Sequence, residues 1–319
     1  MPELLARLKT EADDEWIVSL RNRISDHLPP TTLESFRHWE RVDGVVEKAL
    51  TERYVIERDG VPVGAFVFEK MWWAEKPGGF FGGVSVDPDL WNQGIGGRIY
   101  ELLMSRLREI GAERVYGNVR NDRPIAQEFV KKRGFSKTGH ADRWSRLEVQ
   151  SANLNGYIGV DDLLATDGIV IKTLGQTGGS EDLLRKLHQT QDEAVADIPM
   201  SERYTGSPYE QFVEELRDPA LTPDRVWIAM DGDEPVGLAV LPVEAEGKAF
   251  NGFTGVRRAY RGKGVARALK LKTLEYARDS GITYIYTAND VNNKRMLAIN
   301  NSLGYQELPI AEEVVKTLD

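Results

Sequence analysis

The 319-residue sequence contains no cysteine. Disulfides, thiolate zinc sites and a cysteine nucleophile are excluded together. Histidine is scarce as well. His27, His38, His140 and His188 are the full set, no two of them stand at metal-ligand spacing, and no metal is expected. No apolar run reaches the ~18 residues that a membrane-spanning helix needs, so no membrane partner is expected. The opening MPELLARLKTEADDEW lacks the apolar stretch of a secretory signal and carries acids early, which makes the cytoplasm the expected compartment. The net charge of −9 argues against a broad basic surface for nucleic acid. An acidic field suits a cationic substrate such as an amine.

What is present is an ordinary globular balance, 41% hydrophobic and 29% charged residues. At roughly 100–200 residues per domain, the length suggests two domains. The chain also repeats itself. GGVSVDPDLWNQGIGGRIYELL around residues 82–103 is echoed by GFTGVRRAYRGKGVARALKLK around residues 252–272. Val86 pairs with Val256, Gly94 with Gly264, Gly96 with Ala266 and Gly134 with Gly304, each 170 residues apart. Upstream, Pro62-Val63-Gly64 matches Pro235-Val236-Gly237 at an offset of 173. A constant offset held across several elements indicates duplication.

Both halves read as the same succession of elements. In the first, Arg53–Glu57 and Val61–Glu69 alternate as strands around an Asp-Gly turn. Phe80–Val86 is a third strand, Ile95–Ile110 has apolar residues at helical spacing, and Gly111 stops that helix. Arg114–Val119 then reads as a strand and Pro124–Arg133 as a helix, with a last strand from Phe135. In the second, the strands are Val226–Met230, Glu234–Val243, Ala249–Val256 and Thr283–Ala288, with helices Val265–Ser280 and Asn292–Leu303 and a last sheet segment from Tyr305. Helices Asp14–His27 and Thr32–Arg41 precede the first sheet; Ser180–Asp197 and Tyr209–Arg217 precede the second. The polar, glycine-bearing stretch Gln150–Asp167 is expected to be a linker, and Gly168–Leu174 opens the second half as a strand. The expected domains are residues 1–155 and 166–319.

Each half carries a glycine turn between a strand and a helix. Such a turn presents backbone N–H groups at a helix N-terminus, where an anion is favoured, and glycine lets the main chain approach phosphate closely. Arg261 and Lys263 add positive charge beside the second turn. Neither turn has the G-x-x-x-x-G-K-[ST] of a Walker loop. Neither completes a Rossmann G-x-G-x-x-G, because Ile99 or Arg267 stands at the last position and the turn comes late in each half.

Arg261-Gly262-Lys263-Gly264-Val265-Ala266 fits Q/R-x-x-G-x-G/A, and here the sequence resembles the GNAT superfamily of acyl-CoA-dependent N-acetyltransferases. Downstream, Thr287-Ala288-Asn289, Asn293, Met296, Asn300 and Leu303-Gly304-Tyr305 resemble the T-x-N…N-x-x-M…N-x-x-L-G-[FY] variant of the family's last helix. The layout is similar to two-domain members such as the mycothiol synthases. The resemblance implies an α/β (α+β) fold of two tandem GNAT domains, each a mixed central sheet flanked by helices. It implies acetyl-CoA as the acyl donor, with pantetheine lying where the fourth and fifth strands splay. The cofactor contacts it implies are Thr254 and Val256 on the fourth strand, Arg261, Gly262, Lys263, Gly264, Val265 and Ala266 in the loop, and Asn289 and Asn293 beyond it. In the first copy they are Val84, Val86, Gly94, Ile95, Gly96 and Gly97. The implied reaction is direct attack by an amine of a small molecule or peptide. The oligomeric state is left open.

The family's tyrosine acid, four residues before the glycine of the last G-[FY] pair, is replaced by Asn300 in the second copy and Val130 in the first. The acid is therefore unassigned. Glu244, Glu246, Asp192, Glu193 and Asp197 are candidate bases, and Asn300 occupies the acid's place. The first copy also has Trp91 at the Arg/Gln position and Arg123 at the Asn position. The second copy is expected to be the catalytic one and the first to be degenerate. A catalytically silent CoA-binding or regulatory module is the alternative.

Overall fold

The computed structural model describes residues 3–157, 159–243 and 247–318. The chain forms two compact units, neither of them contiguous. Unit 1 gathers the residues up to Ala141, Ser201–Arg203 and the stretch from Ile310; unit 2 is Asp142–Met200 with Tyr204–Pro309. In chain order, unit 1 contains β1 (Leu5–Leu8), α1 (Asp14–Ile24), α2 (Leu33–Gly44), β2 (Thr51–Arg58), β3 (Val61–Lys70), β4 (Gly79–Val86), α3 (Ile95–Glu109), β5 (Arg114–Arg120) and α4 (Pro124–Lys132). Strand β6 (Ser136–Glu148) begins there and continues into unit 2. Unit 2 adds α5 (Val160–Thr166), β7 (Ile169–Thr173), α6 (Leu174–Thr177), α7 (Glu181–Val195), α8 (Tyr209–Glu215), β8 (Val226–Asp231), β9 (Glu234–Val240), β10 (Lys248–Phe250), β11 (Phe253–Val256), α9 (Val265–Asp279), β12 (Tyr284–Asp290) and α10 (Lys294–Leu303). The last strand, β13 (Gln306–Thr317), starts in unit 2 and ends in unit 1.

The strand order in unit 1 is β1-β2-β3-β4-β5-β13-β6. The β2–β3 hairpin turns on Asp59 and Gly60, both at positive φ, as the Asp-Gly pair predicts. Residues 311–317 of β13 run antiparallel to β5. In unit 2, residues 142–148 of β6 run antiparallel to β12, β12 lies parallel to β10, and β11-β9-β8-β7 form an antiparallel sheet.

The helical spacing in each copy becomes a buried stripe. Ile95, Ile99, Leu103 and Leu107 of α3 pack on Ile56, Phe66, Phe68 and Phe80. Val265, Ala268, Leu269 and Leu274 of α9 pack on Val236, Ala239, Val256 and Ile285. Leu183 and Leu187 of α7, with Phe212 of α8, cover Ile228 and Leu238. Each fully buried Val, Leu, Ile or Phe side chain contributes about 1.5–3 kcal/mol, so these stripes hold the helices whose first turns form the site.

Three local expectations are corrected, and one strand is added. The run Ala249–Val256 is two strands, β10 and β11, with Asn251-Gly252 between them; an Asn-Gly pair favours a turn even inside an apolar run. Strand β9 stops at Val240, and Val243 forms only an isolated bridge to Ala249. The expected linker holds α5, and Tyr157, Val160 and Leu164 are part of the unit 2 core, because apolar residues at that spacing share a helix face. Strand β1, unforeseen, pairs with β2.

Candidate functional site

In unit 2, β10 and β12 pair over Lys248–Phe250 and Tyr284–Tyr286. Asn251 adds a last bond, its N–H donating to the Tyr286 carbonyl at 2.8 Å. Past Gly252 the chain pairs with β9 instead, Thr254 opposite Ala239 and Val256 opposite Gly237. Strands β11 and β12 therefore diverge, and the edge of β11 carrying Thr254 and Val256 borders an opening that closes at Asn251. Unit 1 repeats the geometry. Strands β4 and β5 pair in parallel over Gly79–Phe81 and Arg114–Tyr116, and the outer part of β4, with Val84 and Val86, pairs with β3.

At the wide end of each opening a glycine starts the helix. Gly264 (φ 90°) precedes α9 and Gly94 (φ 76°) precedes α3, both left-handed. Non-glycine residues rarely adopt this conformation. It turns the next side chain inward, and Val265 and Ile95 are buried. The first-turn N–H groups of a helix have no intrahelical acceptors, so the segments Gly264–Ala266 and Gly94–Gly97 offer donors. A Cβ on Gly262 or Gly94 would meet nothing within 4 Å, which leaves the backbone accessible to an anion.

Arg261 and Trp91, which stand at equivalent places, do the same local job. The Arg261 Nε donates to the Val256 carbonyl at 2.9 Å, and the Trp91 Nε1 donates to the Val86 carbonyl at 2.9 Å. Only Arg261 brings charge. Its Nη1 lies 2.5 Å from Asp197, which Arg258 also grips through two bonds of 2.7 and 2.8 Å. These arginines, Arg258 foremost, hold the Asp197 carboxyl down at about 2. Glu193 accepts from Arg257 and from the Arg258 N–H. Both candidate bases are thus tied to the loop side of the site. Asp192 accepts from Tyr204 at 2.6 Å and from the Ser207 hydroxyl at 2.9 Å. Lys263 lies 4.0 Å from Asp167. Glu244 and Glu246 fall outside the described residues.

The asparagines separate into two kinds. Asn293 caps α10, its side chain accepting from the Met296 N–H at 3.3 Å. Asn289, at the end of β12, accepts from the buried Asn300 at 2.7 Å. The Asn300 Oδ1 is buried without a hydrogen-bond partner among the described residues.

Sequence reasoning missed Lys270 and Asn251. Lys270 is on α9 and 2% exposed. Its Nζ donates to the Asn251 Oδ1 and lies 5.6 Å from the Tyr305 ring centre. Burial lowers its amine to about 7. Asn251 also accepts from Thr254 at 3.1 Å and donates to the Val240 carbonyl at 3.2 Å. Two signals were available, a lysine among the apolar positions of a helix and an Asn-Gly pair inside a strand run.

Unit 1 differs where these groups stand: the Tyr100 hydroxyl accepts from Lys316 at 3.3 Å, and the Arg133 guanidinium lies 4.9 Å from the Tyr100 ring centre. At the offset of 170, Asn251, Lys270, Asn300 and Leu303 correspond to Phe81, Tyr100, Val130 and Arg133. The Arg133 guanidinium lies 3.5 Å from the Phe129 ring centre, and a Cβ on Gly97 would meet it at 3.0 Å.

The family model described as acetyltransferase (GNAT) family matches residues 11–135 and 187–305. No curated protein matches the chain in sequence. Among solved structures, the tandem GNAT protein from the clavulanic acid biosynthesis pathway (without AcCoA) aligns at a TM-score of 0.73 and 17% identity, over 99% of this chain and 98% of that one. The GCN5-related N-acetyltransferase from Sphaerobacter thermophilus aligns at 0.69 and 18% identity, over 98% and 95%. With one family match in each half and a tandem protein that shares the fold end to end, the chain belongs to the GNAT acetyltransferase family as a tandem of two GNAT domains.

Proposed function

We propose that unit 2 binds acetyl-CoA and transfers its acetyl group directly to an amine of a small molecule or peptide in the cytoplasm, and that unit 1 is degenerate. The observation that carries this reading is the opening between β11 and β12, which runs from the Gly262–Ala266 turn to Asn251. The residues present fit the donor. The turn offers unhindered backbone N–H groups beside Arg258, Arg261 and Lys263, and the buried Asn300 Oδ1 lacks a donor among the described residues.

Bound there, acetyl-CoA supplies an activated acyl carbon and a thiol leaving group. The first-turn N–H groups of α9 and the Arg261 guanidinium would hold its pyrophosphate, and Asn289 and Asn293 would contact its arm. The edge of β11 at Thr254–Val256 would bind the arm's amides, and a backbone N–H there would stabilise charge developing on the acyl oxygen. Deprotonating a primary amine at pH 7 costs about 4–5 kcal/mol, whereas releasing a thiolate costs about 2 kcal/mol. Asp197, held down at about 2 between two arginines, is a poor base. Glu244, Glu246, Asp192 and Glu193 remain candidates.

The test is thiol release from acetyl-CoA with a panel of amines, run on the wild type, Gly264→Asp and Gly94→Asp. Turnover lost in the first variant and kept in the second is expected. CoA binding without turnover for any amine would favour the silent binding module.

A further inference from the structure

The opening between β11 and β12 of unit 2 ends at a buried lysine, Lys270. A ligand arm held at the Gly262–Ala266 turn and lying along β11 must end where β10 and β12 rejoin, at Asn251. From Val256 to Asn251 is five residues of extended chain, at most ~18 Å. Helix α9 starts at the same turn and runs back alongside. Lys270, six residues after Gly264, is roughly 9 Å down its axis, and its side chain covers the rest of the way to Asn251. The titratable side chain that faces it is Tyr305, whose hydroxyl burial and Tyr157 push upward. Among the described residues, no carboxylate lies within ion-pair distance of its Nζ.

An amine buried in this way needs a reason. Its hydrogen-bond acceptor among the described residues, Asn251, is neutral, so the ammonium form is poorly compensated. At the offset of 170, the equivalent residue in unit 1 is Tyr100, and Phe81 and Val130 stand at the positions of Asn251 and Asn300. The fold therefore does not require a lysine there.

We infer that the Lys270 ammonium meets the sulfur at the closed end of the opening and is the proton donor to the departing thiolate, the part that Asn300 cannot play. The inference rests on the acetyl-CoA reading of unit 2. As the amine attacks, the C–N bond forms, the C–S bond breaks, and the bond's electron pair stays on sulfur. Lys270 gives that sulfur a proton and becomes a neutral amine. The acylated nitrogen sheds one proton, which restores the ammonium directly or through water, so a neutral amine substrate causes no net proton change. An amine poised near 7 suits a donor working near neutrality.

The test titrates the thiol of bound CoA by its thiolate absorbance in the wild type, Lys270→Met and Lys270→Gln. A free thiol titrates near ~8.5. A neighbouring ammonium is expected to lower this by about one unit or more in the wild type, and both variants should lose that shift. Lys270→Gln keeps a donor for Asn251, so a merely structural lysine would be rescued by it and the shift would survive. In parallel, the Lys270 side-chain resonance, assigned by its loss in Lys270→Met, should titrate higher with CoA than with desulfo-CoA. A bound thiol that titrates alike in all three proteins, or a lysine that ignores the sulfur, overturns the inference. If the wild type binds no CoA, the acetyl-CoA reading falls first and takes this one with it.

Discussion

Asp197 accepts from Arg261 at 2.5 Å, and the same arginine donates to the Val256 carbonyl at 2.9 Å. The carboxylate thus sits where a phosphate would compete for the guanidinium. Its carboxyl is lowered to about 2, by Arg258 first and then Arg261. A lowered acid stabilises the fold above its unfolded value near ~3.9 and loses that effect as pH falls through the folded value. The pair therefore persists throughout pH 5–9, and an anion, not pH, must displace it. Asp197→Asn removes a negative charge beside the phosphate site and is expected to tighten CoA binding about three- to tenfold at low salt. Calorimetry at two ionic strengths checks this. Weaker binding would mean instead that Asp197 holds the arginines ready.

Gly264 has φ 90° and only Val160 near its would-be Cβ, at 3.4 Å. Aspartate and asparagine both tolerate this conformation better than most residues, so comparing them isolates charge. Gly264→Asp is expected to weaken CoA binding to unit 2 by about a hundredfold or more, as a carboxylate would face the phosphates. Gly264→Asn should cost less than about tenfold. Equal affinities in the two variants and the wild type would sink the loop assignment.

The shared role of Arg261 and Trp91 suggests an exchange. Arg261→Trp keeps a donor for the Val256 carbonyl, so the unfolding midpoint should stay within a few degrees while CoA affinity falls about tenfold. Trp91→Arg alone should not create binding in unit 1, because Arg133 still lies against Gly97 and Phe129. The number of CoA sites per chain, measured by calorimetry, checks both halves.

Lys270 should also leave a mark on stability. Its folded value, about 7, is below the unfolded ~10.4, so the unfolded chain binds the extra proton between these limits and stability rises with pH there. Lys270→Met removes the buried amine and is expected to be more stable than the wild type at pH 7, by about 1–3 kcal/mol. The gap should close towards pH 10. Denaturant melts at pH 7 and pH 10 measure it; a gap that does not change with pH would contradict a buried, neutral-leaning amine.

Much of this fold could be read in the sequence. The stripes Ile95–Leu107 and Val265–Leu274, the Asp59-Gly60 turn and the constant offset all report local chemistry, and local chemistry survives folding. The break at Asn251-Gly252 was lost because β-favouring residues flank it on both sides and outweigh a two-residue turn signal. Helix α5 was lost because it is short and set among glycines. The division of β6 and β13 between the units was beyond reach, since alternation along a strand shows which face is buried but not which strand lies alongside. Within the site, the loop glycines were found by their spacing. Lys270 was not, because a lone lysine in a helix is normally taken to face solvent.

Residues 311–317 lie against β5 of unit 1, which has consequences on the ribosome. Between Arg120 and Ala311 about 190 residues must be made. At ~5–20 residues per second, that takes roughly 10–40 s. For all that time β5 waits as a bare edge, the kind of surface that pairs with the wrong neighbour. The β6 strand that unit 2 needs, by contrast, has already emerged when the rest of that unit appears. The part of the chain synthesised first is thus the last to be finished, and a nascent chain stalled before residue 311 exposes a β edge where chaperones or aggregation would act.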